Sequence, residues 1–558
     1  MAITADELYA GETTAEQTRP AGLALMHMWV AFITFLLAAA LGVYQLLVRA
    51  EIWPALSSGE LYYASVTAHG TIMGYVLTTF FIAGFGYYVA STSLKQRVWS
   101  VSLAWLGFAL MLVGTVLAAY VMFTGQASVL YTFYPPNIGH WGYYLGATLI
   151  VVGSWFWVLN MIMMYARFKR ENGDKPVPLA MYAYTANAIL WFLTSLGVAL
   201  EILFQLLPLS LGLVDTVDVG LARTLFSWTL HAIVYFWLIP AYIAFYVFLP
   251  KAAGGRLISD EMGRVAFIML LVFSLPIGFH HLYMDPQHAA GWKLLHAFGT
   301  FMVAVPTLIT GFTIIATMEI AGRLRGGKGL FGWIAKIPWG NPMVLATGLS
   351  LLMLTYGGFG GMINASYALN IAIHNTQWVT AHFHAIFGGT TVIMYFAIAY
   401  YLWPSMTGRA LISEGAARLQ LWLWTIGTIV LTAPWHILGL LGQPRRVAFT
   451  PFDPEITDRW TFYEHGMILG GLIMLISAGM FVWILARSHF GQPVQNREVA
   501  YAEAVHPPLK LPKLMNTYGL WVAIIVFYMI LSYGYPILQF LLPPSLGGLE
   551  GFNPGPWP

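Results

Sequence analysis

Long apolar segments follow one another along almost the whole of this 558-residue chain, and they limit what it can fold into. A helix needs about 20 mostly apolar residues to cross a bilayer. Only 9% of the residues are charged, whereas soluble domains carry about 25%. The sequence therefore predicts an all-α integral membrane protein, a single bundle of about 13 transmembrane helices near residues 22–48, 62–91, 100–124, 141–166, 181–212, 222–249, 264–283, 294–321, 342–360, 373–403, 419–441, 463–486 and 515–543.

The distribution of Lys and Arg predicts the orientation of this bundle, because cytoplasmic loops carry an excess of both residues. With the N-terminus placed in the cytoplasm, 20 of the 26 Lys and Arg residues fall on the inner side and 6 on the outer side. This asymmetry favours an N-in, C-out arrangement. We divide the chain into a cytoplasmic N-terminal tail (1–21), a membrane domain (22–543) and an outer C-terminal tail (544–558).

Composition excludes several kinds of site. Cys is absent, which rules out disulfides, thiolate metal sites, iron–sulfur clusters and cysteine nucleophiles. A metal ion would have to use His, Met or oxygen ligands. The net charge of +3 is too small to indicate nucleic-acid binding, and the polar residues 1–21 do not resemble a cleavable signal peptide.

Six of the 15 histidines are predicted to lie at a similar depth in the outer part of the membrane, on the second, sixth, seventh and tenth segments. Polar groups gathered inside a bilayer indicate a functional site. The stretch WVTAHFHAIFGG contains two of these six histidines, His382 and His384. Residues two apart on a helix point roughly 200° apart, so this pair cannot chelate one ion. Each could instead bind a separate large cofactor, since neutral imidazole is the usual axial ligand of haem iron.

The sixth and seventh segments carry a different histidine pattern. His231 and Tyr235 are four residues apart and share one helix face, while His280 and His281 are adjacent near the end of the seventh segment. Three imidazoles without carboxylate or thiolate suit copper. Taken alone, the His280–His281 pair also fits a polar helix end at the headgroups.

These motifs, in this order, resemble the main subunit of heme–copper oxygen reductases, whose fold is a 12-helix core, here with one added C-terminal helix. The resemblance implies two haems and one copper ion. His69 and His384 would be the two axial ligands of the low-spin haem. His382 would be the single axial ligand of the high-spin haem. The copper ion would be bound by His231, His280 and His281. Tyr235 would be cross-linked to His231 and would supply an electron and a proton during O–O cleavage.

Departures from the commonest branch indicate the B-type branch, with a b-type low-spin and an a-type high-spin haem. Ile233 stands where that branch has a Glu between the His and Tyr of the sixth helix. The B-type proton path uses hydroxyl groups, which both donate and accept. The matching residues here are Tyr242, Tyr246, Thr307, Thr310 and Thr313. Ordinary small-residue helix packing is the alternative interpretation of the threonines.

Haem propionates are anions, and the resemblance implies four partners for them: Arg445, Arg446, His374 and Asn370. Asn370 replaces an expected Asp, so a pH-switching carboxylate is missing there. Glu201 lies within the fifth segment, and we assign it no role beyond a structural hydrogen bond.

The sequence as a whole predicts the catalytic subunit of a terminal oxidase that reduces O₂ to water and moves protons, located in the cytoplasmic membrane of a prokaryote as a multi-pass protein. Its partners would be a subunit II with a binuclear copper centre, cytochrome c as electron donor, or a quinol in its place, and O₂. Nitric oxide reductase is an alternative that Tyr235 disfavours. A membrane cation transporter is another, although such proteins usually show broken helices and inverted repeats.

Overall fold

A computed structural model of the chain describes residues 20–53, 58–448, 452–546 and 548–549. The prediction of an all-α membrane bundle is confirmed: the described residues form no β-strand, and 12 helices are long and apolar enough to cross a membrane. The principal helices are α1 (Ala21–Arg49), α2 (Gly59–Leu94), α3 (Val101–Phe123), α4 (Trp141–Asn172), α5 (Leu179–Ser210), α6 (Val219–Val247), α7 (Asp260–Ser274), α8 (Ala290–Leu324), α9 (Pro342–Ala365), α10 (Gln377–Thr407), α11 (Glu414–Leu440), α12 (Pro454–Ser488) and α13 (Gly519–Leu541).

Shorter helices connect these elements. They are Leu249–Ala252, Gly278–Leu282, Ile334–Lys336, Tyr367–Ile373, Lys513–Asn516 and Pro544–Leu546. The predicted N-terminal tail (1–21) and C-terminal tail (544–558) lie mostly outside the described residues. Their boundaries and the N-in, C-out orientation remain predictions.

The seventh predicted span differs from the other 12. We expected a helix near 264–283, but α7 ends at Ser274 after 15 residues, which is roughly 22 Å at 1.5 Å per residue. Pro276 has no N–H to continue the hydrogen-bond ladder. A 3₁₀ turn, Gly278–Leu282, then carries His280 and His281. The histidine pair therefore lies on a turn after a broken helix. The seventh of the 13 predicted spans is shorter than predicted.

The helices that carry the remaining candidate histidines lie at the centre of the bundle. In the most apolar stretch of each helix, the buried share of the residues is 94% in α2, 78% in α6 and 89% in α10. Their positions are apolar nearly all round, as expected of helices enclosed by others. Two of them also change pitch just after a histidine, with π-helical segments at Ile72–Leu77 and Phe387–Val392. Such segments inside α-helices occur frequently at functional sites.

Glycines allow the outer helices to approach closely. A Cβ added to Gly146 of α4 would lie 2.7 Å from the Gly114 carbonyl oxygen of α3, and one added to Gly114 would lie 2.5 Å from the Gly146 oxygen. In lipid, helices associate largely through van der Waals packing, which small residues improve. The α3–α4 contact therefore depends on these two positions.

We predict that Gly146→Ala destabilises the bundle, because the new methyl group overlaps backbone atoms of α3. Overpacking of this kind costs about 1–3 kcal/mol. Gly479→Ala on α12 is the matched control, since nothing lies within 4 Å of its added Cβ. The measurement is the midpoint of thermal denaturation in detergent, with unfolding monitored by circular dichroism. Equal midpoints for the two variants would contradict the close-packing argument.

Candidate functional site

His69 of α2 and His384 of α10 face one another across the centre of the bundle. Their ring centroids are 6.1 Å apart and their planes differ by 17°. Metal–imidazole bonds are about 2.0–2.1 Å long and each ring centre lies roughly 1 Å behind its nitrogen, so two imidazoles on one metal have centroids about 6 Å apart. The spacing of this pair therefore fits two axial ligands of one iron.

The hydrogen bonds of three histidines determine which ring nitrogen is free. Nδ1 of His69, His382 and His384 lies 2.8, 2.9 and 2.8 Å from the carbonyl oxygens of Ala38, Gly357 and Thr380. A carbonyl oxygen only accepts, so each Nδ1 carries the hydrogen and each Nε2 keeps a lone pair. Metal-binding histidines almost always have such a partner on the second nitrogen.

His382 and His384 point to different neighbours, as their spacing predicts. His384 packs beside Trp435 of α11, with ring centroids 4.6 Å apart. His382 lies against α9, where an added Cβ on Gly360 would be 3.0 Å from its Nδ1 and one on Gly361 3.1 Å from its Cε1. The glycines leave space for the His382 ring. Phe383 projects between the two, 5.9 Å from Trp237 of α6.

His231, His280 and His281 form a compact cluster. Their ring centroids are 4.3 Å (231–280), 5.6 Å (231–281) and 4.1 Å (280–281) apart. Each can offer one ring nitrogen such that the three lie within 4.8 Å of one another. Nε2 of His231 and of His281 is buried without a hydrogen-bond partner. A buried polar atom without a partner costs several kcal/mol, so the cluster fits a bound metal ion.

Thr300 of α8 fixes the tautomer of His280, and the sequence analysis missed it. The Thr300 hydroxyl donates to the His296 carbonyl oxygen at 2.7 Å, so it can only accept from His280 Nδ1, 3.0 Å away. Nε2 of His280 therefore keeps its lone pair toward the cluster. The i, i+4 spacing of His296 and Thr300 on one helix face was the signal available in the sequence.

Tyr235 lies beside the cluster, on the same face of α6 as His231. The two ring centroids are 5.0 Å apart and the planes differ by 50°. The predicted shared face of His231 and Tyr235 is therefore present, and the phenol lies on the side of the cluster that leads toward Tyr242.

Two hydroxyl pairs connect α6 and α8 further along the bundle. Tyr242 donates to the Thr307 oxygen at 3.0 Å, and Tyr246 donates to the Thr310 oxygen at 3.1 Å. The Thr313 hydroxyl donates to the carbonyl oxygen of Ile309 on its own helix. Tyr242, Tyr246, Thr310 and Thr313 are fully buried, so these hydroxyl groups lie in the interior of the bundle.

Arg445 and Arg446 form a basic site without a carboxylate partner among the described residues. Arg446 donates from Nη2 to the Tyr131 hydroxyl at 2.9 Å, and Arg445 donates from Nη2 to Asn375 Oδ1 at 3.1 Å. The Nε atoms of both are buried and unpartnered. Burial and the neighbouring charge of Arg446 lower the pKa of Arg445 to about 10. Two unneutralised guanidinium groups with free donors fit anionic groups such as propionates.

His374 and Asn370 lie next to one another beside this basic site. His374 Nδ1 is 3.0 Å from Asn370 Oδ1, and the Asn370 amide nitrogen donates to the Asn364 carbonyl oxygen at 2.8 Å. Asn370 Oδ1 therefore accepts from His374 Nδ1–H, and Nε2 of the neutral His374 is an acceptor that becomes a donor only when the ring is protonated.

The environments of two buried acidic residues were not anticipated from the sequence. Glu201 was expected to make a structural hydrogen bond, but both of its carboxyl oxygens are buried without a partner. Asp285, which we did not single out, forms a salt bridge with Arg223, with Nε–Oδ2 at 2.8 Å. Burial raises the pKa of Asp285 although the Arg223 charge opposes the shift. No local motif marks the Arg223–Asp285 pair, because the partners are on separate elements.

Comparisons with known proteins identify the family to which the chain belongs. The family model for "Cytochrome C and Quinol oxidase polypeptide I" matches residues 22–473. Cytochrome c oxidase subunit 1 of Thermus thermophilus is 39% identical over 492 residues, with 86% of each chain covered. The subunit of Thermostichus vulcanus is 27% identical, with 78% of each chain covered. A cryo-EM structure of a heme-copper terminal oxidase dimer is similar, with a TM-score of 0.88, 36% identity, and 93% of this chain and 92% of that chain covered.

Proposed function

Because this chain belongs to the family of cytochrome c and quinol oxidase polypeptide I, we propose roles for its residues in the reduction of O₂ to water. The chain is the catalytic subunit of a terminal oxidase, a proton-translocating oxidoreductase that binds haems and copper. The assignment of residues rests on one observation, the presence of two histidine groups in the same bundle. Facing imidazoles 6.1 Å apart occur beside a three-histidine cluster.

Six histidines would hold the cofactors. His69 and His384 would be the axial ligands of the low-spin haem, His382 the single axial ligand of the high-spin haem, and His231, His280 and His281 the copper ligands. When bound, these groups supply electron transfer and the activation of O₂. The opposite orientation of His382 and His384, with Phe383 between them, supports two haems on either side of α10. By resemblance to the B-type branch, the low-spin haem would be b-type and the high-spin haem a-type.

Tyr235 would act beside the copper ligands. Its ring lies 5.0 Å from that of His231, and the family resemblance implies a covalent link between the two residues. The phenol would supply a proton and an electron when the O–O bond is cleaved. A general acid held in place contributes typically 10²–10⁴-fold to a rate.

Protons would reach Tyr235 along α6 and α8. The Tyr242–Thr307 and Tyr246–Thr310 hydrogen bonds support a path of hydroxyl groups, with Thr313 toward its entrance. Each hydroxyl both donates and accepts, so a proton can pass when another enters. Ile233 in place of a carboxylate supports the assignment to the B-type branch.

The outer side would receive electrons and hold the haem propionates. Arg445 and Arg446 would bind these anions, with His374 and Asn370 as further contacts. Since no electron-entry centre is evident in the sequence, a subunit II with a binuclear copper centre would deliver electrons from cytochrome c, with quinol as the alternative donor. The chain would lie in the cytoplasmic membrane of a prokaryote, with 22–543 as its catalytic membrane domain.

The test of this function is a reduced-minus-oxidised optical spectrum of the purified oxidase with metal analysis and oxygen-electrode measurements. We expect two haem signals, one copper in this chain in addition to the two of subunit II, and O₂ consumption with reduced cytochrome c. A preparation without haem bands would contradict the proposal, and a second non-haem iron in place of copper would indicate nitric oxide reduction.

Replacing either histidine of the HFH motif should remove a different haem signal. We predict that His384→Ala abolishes the low-spin spectrum and leaves a haem that binds carbon monoxide, whereas His382→Ala does the reverse. The measurement is the optical spectrum with and without carbon monoxide. Identical spectra for the two variants would disprove the two-sided arrangement.

Tyr235→Phe should retain both haems and copper and lower O₂ reduction by about 10²-fold or more, because it removes the proton donor. Mass spectrometry of the peptide that contains both His231 and Tyr235 should give a mass two hydrogens below that of the unlinked sequence. An unshifted mass together with normal turnover of the variant would rule out this role.

Breaking the hydroxyl path should slow proton uptake without changing the haems. We predict that Tyr242→Phe and Thr310→Val each lower turnover by about tenfold or more, an added barrier of about 1.4 kcal/mol. Thr347→Val is the matched control, because this buried hydroxyl donates to its own helix. The measurement is flow-flash oxidation with a pH-sensitive dye. Normal proton uptake in both path variants would show that protons enter elsewhere.

A further inference from the structure

The last helix packs against the turn that carries His280 and His281, although it lies outside the matched family region, which ends at residue 473. Helix α13 contains a π-helical segment, Ile530–Gly534. Within this segment, Ser532 and Tyr533 have 0% and 1% of their surface exposed. Tyr533 contacts the turn directly, and Ser532 contacts His296 of α8.

The Tyr533 hydroxyl joins the two elements that hold the cluster. It accepts from the Gly278 N–H at 3.0 Å and donates to the Ser227 carbonyl oxygen at 3.3 Å. Gly278 is two residues before His280, and Ser227 is one helical turn before His231 on α6. One phenol oxygen therefore ties the copper-ligand turn to the helix that carries the third ligand.

His296 of α8 forms a second connection from the same turn to α13. The Phe279 N–H donates to His296 Nδ1 at 3.2 Å, so His296 Nε2 carries the hydrogen and donates to the Ser532 carbonyl oxygen at 3.2 Å. The His296 ring stacks on Phe279 with centroids 3.9 Å apart and an interplanar angle of 6°. Its carbonyl oxygen accepts from Thr300, which orients His280.

These connections satisfy groups that a helix would normally satisfy itself. The chain leaves α7 at Ser274, so the N–H groups of Gly278 and Phe279 need partners in a region without bulk water. Gly278 is required here, because an added Cβ would overlap the Ser227 carbonyl oxygen and lie 2.5 Å from the Tyr533 hydroxyl. The contact is therefore close-packed on both sides.

We propose that Tyr533 and His296 are positioning residues that hold His280 and His281 in register with His231, so that α13 forms part of the copper site's support. The proposal rests on the proposed role of these three histidines as copper ligands. Removal of a hydrogen-bonded support around metal-ligating histidines typically costs 10–100-fold in metal affinity. The same loss is expected here, at the lower end, because Tyr533 acts through the backbone.

The test compares Tyr533→Phe with Tyr535→Phe in the intact oxidase. Tyr535 lies two residues further along α13 and is 45% exposed, so it is a matched control. We expect Tyr533→Phe to lose copper at about tenfold lower chelator concentration and to broaden the infrared band of carbon monoxide photolysed onto copper. The low-spin haem spectrum should be unchanged and should report intact folding.

A second pair of variants tests His296 by conservative replacement. His296→Gln keeps an acceptor and a donor and should retain copper, whereas His296→Leu should lose it as readily as Tyr533→Phe. The positioning role would be overturned if Tyr533→Phe and His296→Leu both kept the chelator resistance and the infrared band of the unmodified enzyme. Absence of copper beyond the two ions of subunit II in the unmodified enzyme would instead overturn the proposed function itself.

Discussion

The arrangement of the site depends on how a histidine can be buried among apolar helices. An imidazole has two nitrogens, and one without a partner in a water-free interior costs several kcal/mol. In His69, His382 and His384, Nδ1–H donates to a backbone carbonyl oxygen, and in His280 it donates to Thr300. Each ring is thereby held in one tautomer and one orientation, with Nε2 left for a metal. The support comes mainly from backbone atoms, so the helices must be placed accurately.

That accuracy comes from how the bundle is built around α2, α6 and α10. Outer helices pack at glycine contacts such as Gly114–Gly146, which leave little room for sliding. Glycines on α9 make space for His382 in the same way. The short α7 releases its chain into the turn that presents His280 and His281, and α8 and α13 satisfy the amide groups that this turn exposes. A broken helix at membrane depth is tolerated only where neighbouring protein groups replace the missing hydrogen bonds.

The charged groups show which features local sequence could not reveal. Arg445 and Arg446 were singled out because the family resemblance implies propionate partners at these positions. The Arg223–Asp285 salt bridge was not, since its partners are separated by 62 positions and no periodic pattern links them. Glu201 was expected to be hydrogen-bonded, and its two oxygens are instead buried without a partner. Whether a buried polar group is satisfied depends on helix packing, which a single sequence does not specify.

The sequence by itself determined the membrane class, the helical bundle, and the helices that carry His69, His231, His382, His384 and the hydroxyl residues, because hydropathy and the 3.6-residue period are local properties of the chain. It also determined that His382 and His384 face apart and that His231 and Tyr235 share a face. Only the tertiary structure decided which residues support the candidate ligands. Thr300, His296 and Tyr533 belong to α8 and α13, and nothing within those segments distinguishes them from packing residues until the helices meet. Pro276 marks the end of α7 in the sequence, but the buried turn that follows is stable only when other helices supply the partners for its N–H groups.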